Sequence, residues 1–184
     1  MEIDWNYRKL FSLTDYQLQI FENLIYSEPK NSWELNTYRQ DRRNKTGVHK
    51  DTKALIFIFK NLRLGNIFDE KLFSRYSIIK EIFIKASEVL NIKDYIIDRC
   101  LLVNLPTGKK IREHNDNPAI FGDSHRIHVP LITAEECEFV VGNEKVPMIK
   151  GTAIEINNLN KHSVDNKSNV DRIHLIFDIR NNPL

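Results

Sequence analysis

His114-Asn115-Asp116, followed 48 residues later (162 − 114) by His162, are the residues of this chain whose types and spacing point most directly to chemistry. Two imidazoles and one carboxylate can take one face of an octahedral Fe(II), leaving the opposite face open for a bidentate co-substrate and O2. The first pair stands at i, i+2, so in an extended segment both side chains leave the same side of a strand or its end. An H-x-D spacing by itself is unspecific, and a lone histidine is more often a hydrogen-bonded residue than a ligand. Weight comes from the surrounding sequence: the runs Asn104–Asp116, Arg126–Leu131, His162–Asn166 and Asp171–Asp178.

Cations cluster in the same half. Strand alternation along Asp171–Asp178 puts Arg172, His174 and Ile176 on one face and Ile173, Leu175 and Phe177 on the other. An Arg and a His facing inward from an apolar strand are costly without an anionic partner. That partner is either an internal Asp or Glu or a dicarboxylate ligand, which a guanidinium fork matches bidentately. The same reasoning applies to Arg126-Ile127-His128. Two R-I-H strands are odd as core and natural as walls of an anion pocket; the alternative is a solvated sheet face.

Two further clusters stand out. The basic run 39–50 reads either as a solvated loop or as a segment over the pocket that brings Arg42, Arg43 or His49 to an acidic substrate group. It is too short, in a chain of net charge +2, to argue for nucleic acid. Asn157, Asn158, Asn160 and Asn166 flank His162; they are turn formers, one of which could orient the imidazole.

The elements that must position these residues follow from periodicity. Thr14-Asp15 is an N-cap for a helix through about Tyr26, stopped by Pro29. Lys71–Leu90 reads as a second helix with a stripe of Phe73, Tyr76, Ile79, Phe83 and Val89, and Asn91 as its stop. Between them Ala54–Phe59 is a buried strand. From about Ile96 the period becomes two: Leu101–Leu105, Lys109–Glu113, Arg126–Thr133, Glu138–Val141, Thr152–Asn157 and Ile173–Ile179 read as short strands, and His162 follows a loop entering another. Such a pattern predicts a sandwich or small jelly-roll barrel. No repeat or Gly/Ser linker interrupts it, so residues 1–184 read as one domain. Its helix-rich part is 1–95 and its β-rich core 96–184.

Composition bounds the rest. A hydrophobic content of 41% and a charged content of 28% are those of a globular protein with a real core. Cys100 and Cys137 lie in apolar stretches and read as reduced thiols. With no basic start, h-region or membrane-length apolar run, the expectation is a cytoplasmic protein without membrane association. The chain carries no signal for a particular oligomeric state.

From about Val103 to Asp178 the sequence resembles the aspartyl/asparaginyl β-hydroxylase-like family of Fe(II)- and 2-oxoglutarate-dependent oxygenases. The H-x-D, R-I-H-V-P-L, H-S-V-x-N and R-I-H-L-I-F-D segments, in that order, carry the likeness. It implies a mainly β fold with flanking helices, a double-stranded β-helix (a cupin-like jelly roll) with iron at its open end. His114, Asp116 and His162 would be the iron ligands. Arg172, ten residues after the distal His (172 − 162), would bind the far carboxylate of 2-oxoglutarate, with Arg126 and His128 near the co-substrate's metal-bound end. Some relatives lack the carboxylate ligand. Asp116 therefore implies the subset with a complete triad, which includes hydroxylases of free amino acids, and argues against halogenation. The expected reaction is hydroxylation of a small molecule with release of succinate and CO2. Hydroxylation of an Asp, Asn or other residue in a protein is the alternative, and a non-catalytic cupin-like metabolite-binding domain the reading from a different class.

Overall fold

The computed structural model describes residues 4–35, 47–60, 66–116 and 123–183. In chain order they form β1 (Tyr7–Ser12), α1 (Asp15–Ser27), α2 (Ser32–Leu35), β2 (Lys53–Phe59), β3 (Ile67–Phe68), α3 (Glu70–Arg75), α4 (Ile79–Leu90), β4 (Tyr95–Leu105), β5 (Lys110–His114), β6 (His125–Ile132), β7 (Cys137–Val141), β8 (Glu144–Lys145), β9 (Thr152–Ile156), β10 (His162–Asn166) and β11 (Arg172–Asn181).

Local chemistry accounts for the helix ends. Thr14 accepts from the Gln17 N–H while the Gln17 side chain accepts from the Thr14 N–H, a reciprocal capping box. The helix stops at Glu28, before Pro29. The single helix expected over Lys71–Leu90 is two, interrupted at Tyr76–Ile78. Neither proline nor glycine marks the break. The Tyr76 N–H is shared between the Leu72 and Phe73 carbonyls, and the fully buried ring packs on Phe57 at 5.1 Å. Tertiary packing of one aromatic thus overrides a continuous helical pattern. Val89, expected on the apolar stripe, is exposed on α4. Asn91 ends that helix in the left-handed region (φ 57°), as its type predicts.

The strands build two antiparallel sheets in jelly-roll fashion. One has the order β1-β9-β6-β11-β4-β2-β3, the other β5-β10-β7-β8. The larger sheet is therefore not confined to the C-terminal half. Three strands of the N-terminal part join it, and β1, whose YRKLFS run lacks clean alternation, pairs with β9 at its edge.

Alternation sorts side chains between two cores. Ile127 and Val129 of β6, Cys100 and Leu102 of β4, and Leu175 and Phe177 of β11 bury against Phe21, Ile79, Ile82 and Phe83 of the helices. The opposite face of the same sheet, with Leu105, Ile154 and Ile156, meets Ile111, Phe139, Val141 and Val164 of the smaller sheet. Full burial of each such side chain contributes about 1.5–3 kcal/mol. Arg172, His174, Ile176 and Asp178 share the inward-facing parity of β11, between the sheets rather than under the helices. Among the described residues no helix is long and apolar enough to cross a membrane.

Candidate metal centre

The site begins with an irregularity in β5. Across the β5–β10 pair, Val164 faces Ile111 but His162 faces His114, so three residues of β5 span what two of β10 cover. Were the same residues paired without a bulge, alternation from Ile111 would turn His114 to the outer face. The bulge re-aims it inward, beside His162, with ring centroids 4.3 Å apart. Each imidazole engages the carbonyl two residues before it through Nδ1: Arg112 at 2.8 Å for His114, Asn160 at 3.0 Å for His162. In a neutral imidazole, an Nδ1–H donated to a carbonyl leaves Nε2 unprotonated and free to ligate. Burial lowers the pKa of His162, although the Asn160 carbonyl opposes the shift.

Asp116 lies just past the end of β5, its N–H donating to the Asn158 carbonyl at 3.2 Å. Ligating atoms of His114, Asp116 and His162 all fall within 4.8 Å of one another. Burial alone would push the Asp116 carboxyl up. Arg126, then Arg99, hold it well below the usual carboxylate range, so it is ionised. Arg126 donates from Nη1 to Asp116 Oδ2, which leaves Oδ1 for a cation. Behind Arg126 stands Asp178, fully buried, accepting from Nε and, at 3.0 Å, from Nη2, while Arg99 Nε lies 3.0 Å from its Oδ2. Two imidazoles with freed Nε2 atoms and an ionised carboxylate are the donor set that suits a divalent iron.

One wall of the pocket is cationic. Arg172 is 1% exposed; burial pulls its pKa down to about 10, and among the described residues no carboxylate pairs with it. Its Nη2 donates to His174 Nδ1 at 2.7 Å, and its guanidinium stands 5.5 Å from the Phe139 ring centroid. His128 sits between this wall and the ligand cluster, its ring 5.2 Å from Phe139, with Nδ1 buried and unpartnered. Burial, then Arg172 and Arg126, keep His128 neutral. Such a set wants an anion with carboxylate geometry.

The other expected residues divide. His49 reaches the pocket and meets His114 edge-on at 5.1 Å. His174 does not line the pocket; it is fully buried behind the wall, holding Arg172. Arg42 and Arg43 lie outside the described residues, as does most of the basic run. Among the asparagines, Asn160 orients His162, but through its backbone carbonyl. The side chains of Asn157 and Asn166 are occupied with nearby main chain. Sequence reasoning did not single out Arg99 or Phe139, which line the pocket, or Asp178, which stands behind Arg126. The signal for Asp178 was its shared parity with Arg172 on β11.

A model of the aspartyl/asparaginyl beta-hydroxylase family matches residues 70–182. No curated protein sequence matches the chain. Among solved structures, an oxidoreductase of the 2OG-Fe(II) oxygenase family from Burkholderia pseudomallei is 15% identical, with a TM-score of 0.67 over 91% of this chain and 79% of that one. A viral collagen prolyl hydroxylase from Paramecium Bursaria Chlorella virus-1, in complex with 2OG, is 16% identical with a TM-score of 0.57 over 98% of both chains. A prolyl-4-hydroxylase from Pseudomonas putida is 13% identical with a TM-score of 0.58, over 97% and 93%. At these identities the likeness is one of fold.

Proposed function

Because the chain belongs to the aspartyl/asparaginyl beta-hydroxylase family, whose model spans residues 70–182, we propose that it is an Fe(II)- and 2-oxoglutarate-dependent oxygenase. Its reaction is hydroxylation of an unactivated C–H bond of a small molecule, a free amino acid or a derivative, with release of succinate and CO2. The observation that carries the reading is the convergence of His114, Asp116 and His162 within 4.8 Å, beside a buried guanidinium that no carboxylate of the described residues pairs with.

His114 and His162 would hold iron through Nε2 and Asp116 through Oδ1. Bound iron, with the keto acid and O2, supplies the oxidising power that replaces a C–H hydrogen by hydroxyl. The chain's own residues prepare that event. Arg172 takes the far carboxylate of 2-oxoglutarate, its plane set by His174 and its flank covered by Phe139. His128, neutral and with a buried unpartnered Nδ1, hydrogen-bonds the co-substrate nearer the metal, on the side where Arg126 lies. Val103, Ile111, Val164 and Ile176 line the pocket with apolar surface and exclude water from the reacting centre. His49, which lines the pocket, is a candidate for contacting substrate; Arg42 and Arg43, which lie outside the described residues, remain candidates by charge alone.

A single oxygenase domain is part of the proposal, supported by β1 and β2 sharing a sheet with β11. The buried free thiols Cys100 and Cys137 suit a reducing, cytoplasmic compartment.

The test is an anaerobic titration of Fe(II) into protein with 2-oxoglutarate, read by absorption. A metal-to-ligand charge-transfer band is expected, and its absence overturns the reading. A screen of succinate release across free amino acids, nucleosides and peptides then assigns the substrate class. Turnover restricted to peptides would replace the small-molecule assignment with a protein residue.

A further inference from the structure

Asp116 sits beyond the last ladder residue of β5, so no sheet register fixes the direction of its carboxylate. What fixes it is Arg126. A guanidinium is planar, and two of the three Arg126 nitrogens, Nε and Nη2, are taken by the two oxygens of Asp178. That bidentate grip sets the plane, and the remaining Nη1 points at Asp116 Oδ2. Asp178 is fully buried, and its second neighbour is Arg99, with Nε at 3.0 Å. Charge gives the grip a second consequence. Without Asp178, two arginines would face Asp116 and any divalent cation beside it with their full charge.

We propose that Asp178 is a positioning residue of the metal centre: by clamping Arg126 and offsetting its charge, it aims the Asp116 carboxylate and keeps it an effective donor. This inference rests on His114, Asp116 and His162 being the ligands. Its sequence trace is parity, because Asp178 shares the inward face of β11 with Arg172, His174 and Ile176.

The experiment is an anaerobic Co(II) titration of the full chain followed by d–d absorption, with thermal melting as the control for folding. For Asp178→Asn the Co(II) dissociation constant should rise about 10- to 100-fold, the range for loss of a partner behind a metal ligand. The visible band should also change shape as Asp116 loses its hold. In an Arg126→Gln background the same substitution should change affinity by no more than about twofold, because the route runs through the guanidinium. If Asp178→Asn alone does not melt cooperatively, Asp178→Glu takes its place in both backgrounds. Moving the carboxylate by one methylene should still weaken Co(II) binding beside Arg126 and have no effect without it. Unchanged affinity in a folded variant, or equal losses in the two backgrounds, overturns the proposal. Failure of the wild-type protein to bind Co(II) overturns the ligand reading, and this proposal with it.

Discussion

His114 and His162 are direct cross-strand partners, and both hold Nδ1 on the backbone carbonyl two residues earlier. The two ligands are thus oriented by main chain, and no side-chain substitution nearby readily loosens them. Removing an imidazole is the direct perturbation. His162→Ala should lose metal affinity beyond the roughly 10- to 100-fold that an outer partner costs, with succinate formation falling to background. Iron content after anaerobic reconstitution checks this, and retained turnover removes His162 from the site.

The β5 bulge makes a sharper prediction. Deleting Glu113 should regularise the ladder and bring His114 two residues after Ile111, on the same inner face and still opposite His162. Co(II) binding should persist, with Ile111 still in the core and the melting transition still cooperative. Loss of Co(II) binding in a variant that still melts cooperatively would mean that the bulged backbone itself, rather than the register, aims His114.

Arg172→Ala should raise the 2-oxoglutarate requirement and leave iron in place. Truncating one partner of a buried charge pair costs about 2–5 kcal/mol, so KM should rise by at least about 30-fold. Steady-state kinetics in 2-oxoglutarate, with metal content measured in parallel, separates this from loss of iron. An unchanged requirement moves the co-substrate elsewhere.

The buried imidazoles set the response to acid. Burial first, then Arg172, hold His128 and His174 well below their ordinary pKa. Below about pH 6.5 the unfolded chain binds protons that the folded chain refuses, so stability is present above that pH and is lost as pH falls through it. Each histidine contributes up to about 1.4 kcal/mol per pH unit. Between about pH 7.5 and pH 5.5 the metal-free protein should lose about 2–3 kcal/mol, or roughly 5–10 °C in Tm. His174→Asn should shed about half of that slope. A Tm indifferent to pH over this window sinks the assignment of both rings as buried and neutral.

The sequence exposed the site through two local regularities, namely donor residues at short spacing and strand parity. Parity placed Arg172 and His174 inward together, and the structure keeps them so. Parity stopped short where geometry is non-local. The bulge that seats His114 depends on the partner strand, and β1 is a strand because β9 offers it an edge. The break between α3 and α4 comes from the seat of Tyr76 against Phe57, which no helical wheel contains. His174 illustrates a different gap. Its face was legible, but whether it touched ligand or braced Arg172 depended on depth between the sheets.

The placement of β11 also governs when the protein can become functional. It is the last of the described strands yet lies between β4 and β6, and it carries both Arg172 and Asp178. The sheet can close only once this late segment inserts between strands already made, a pairing of high contact order that slows folding. Until then the inner faces of β4 and β6 stay open, and a nascent chain with all three ligand residues in place still lacks the clamp on Arg126. Metal uptake would therefore report insertion of β11, and that step, rather than ligand availability, would set the pace of maturation.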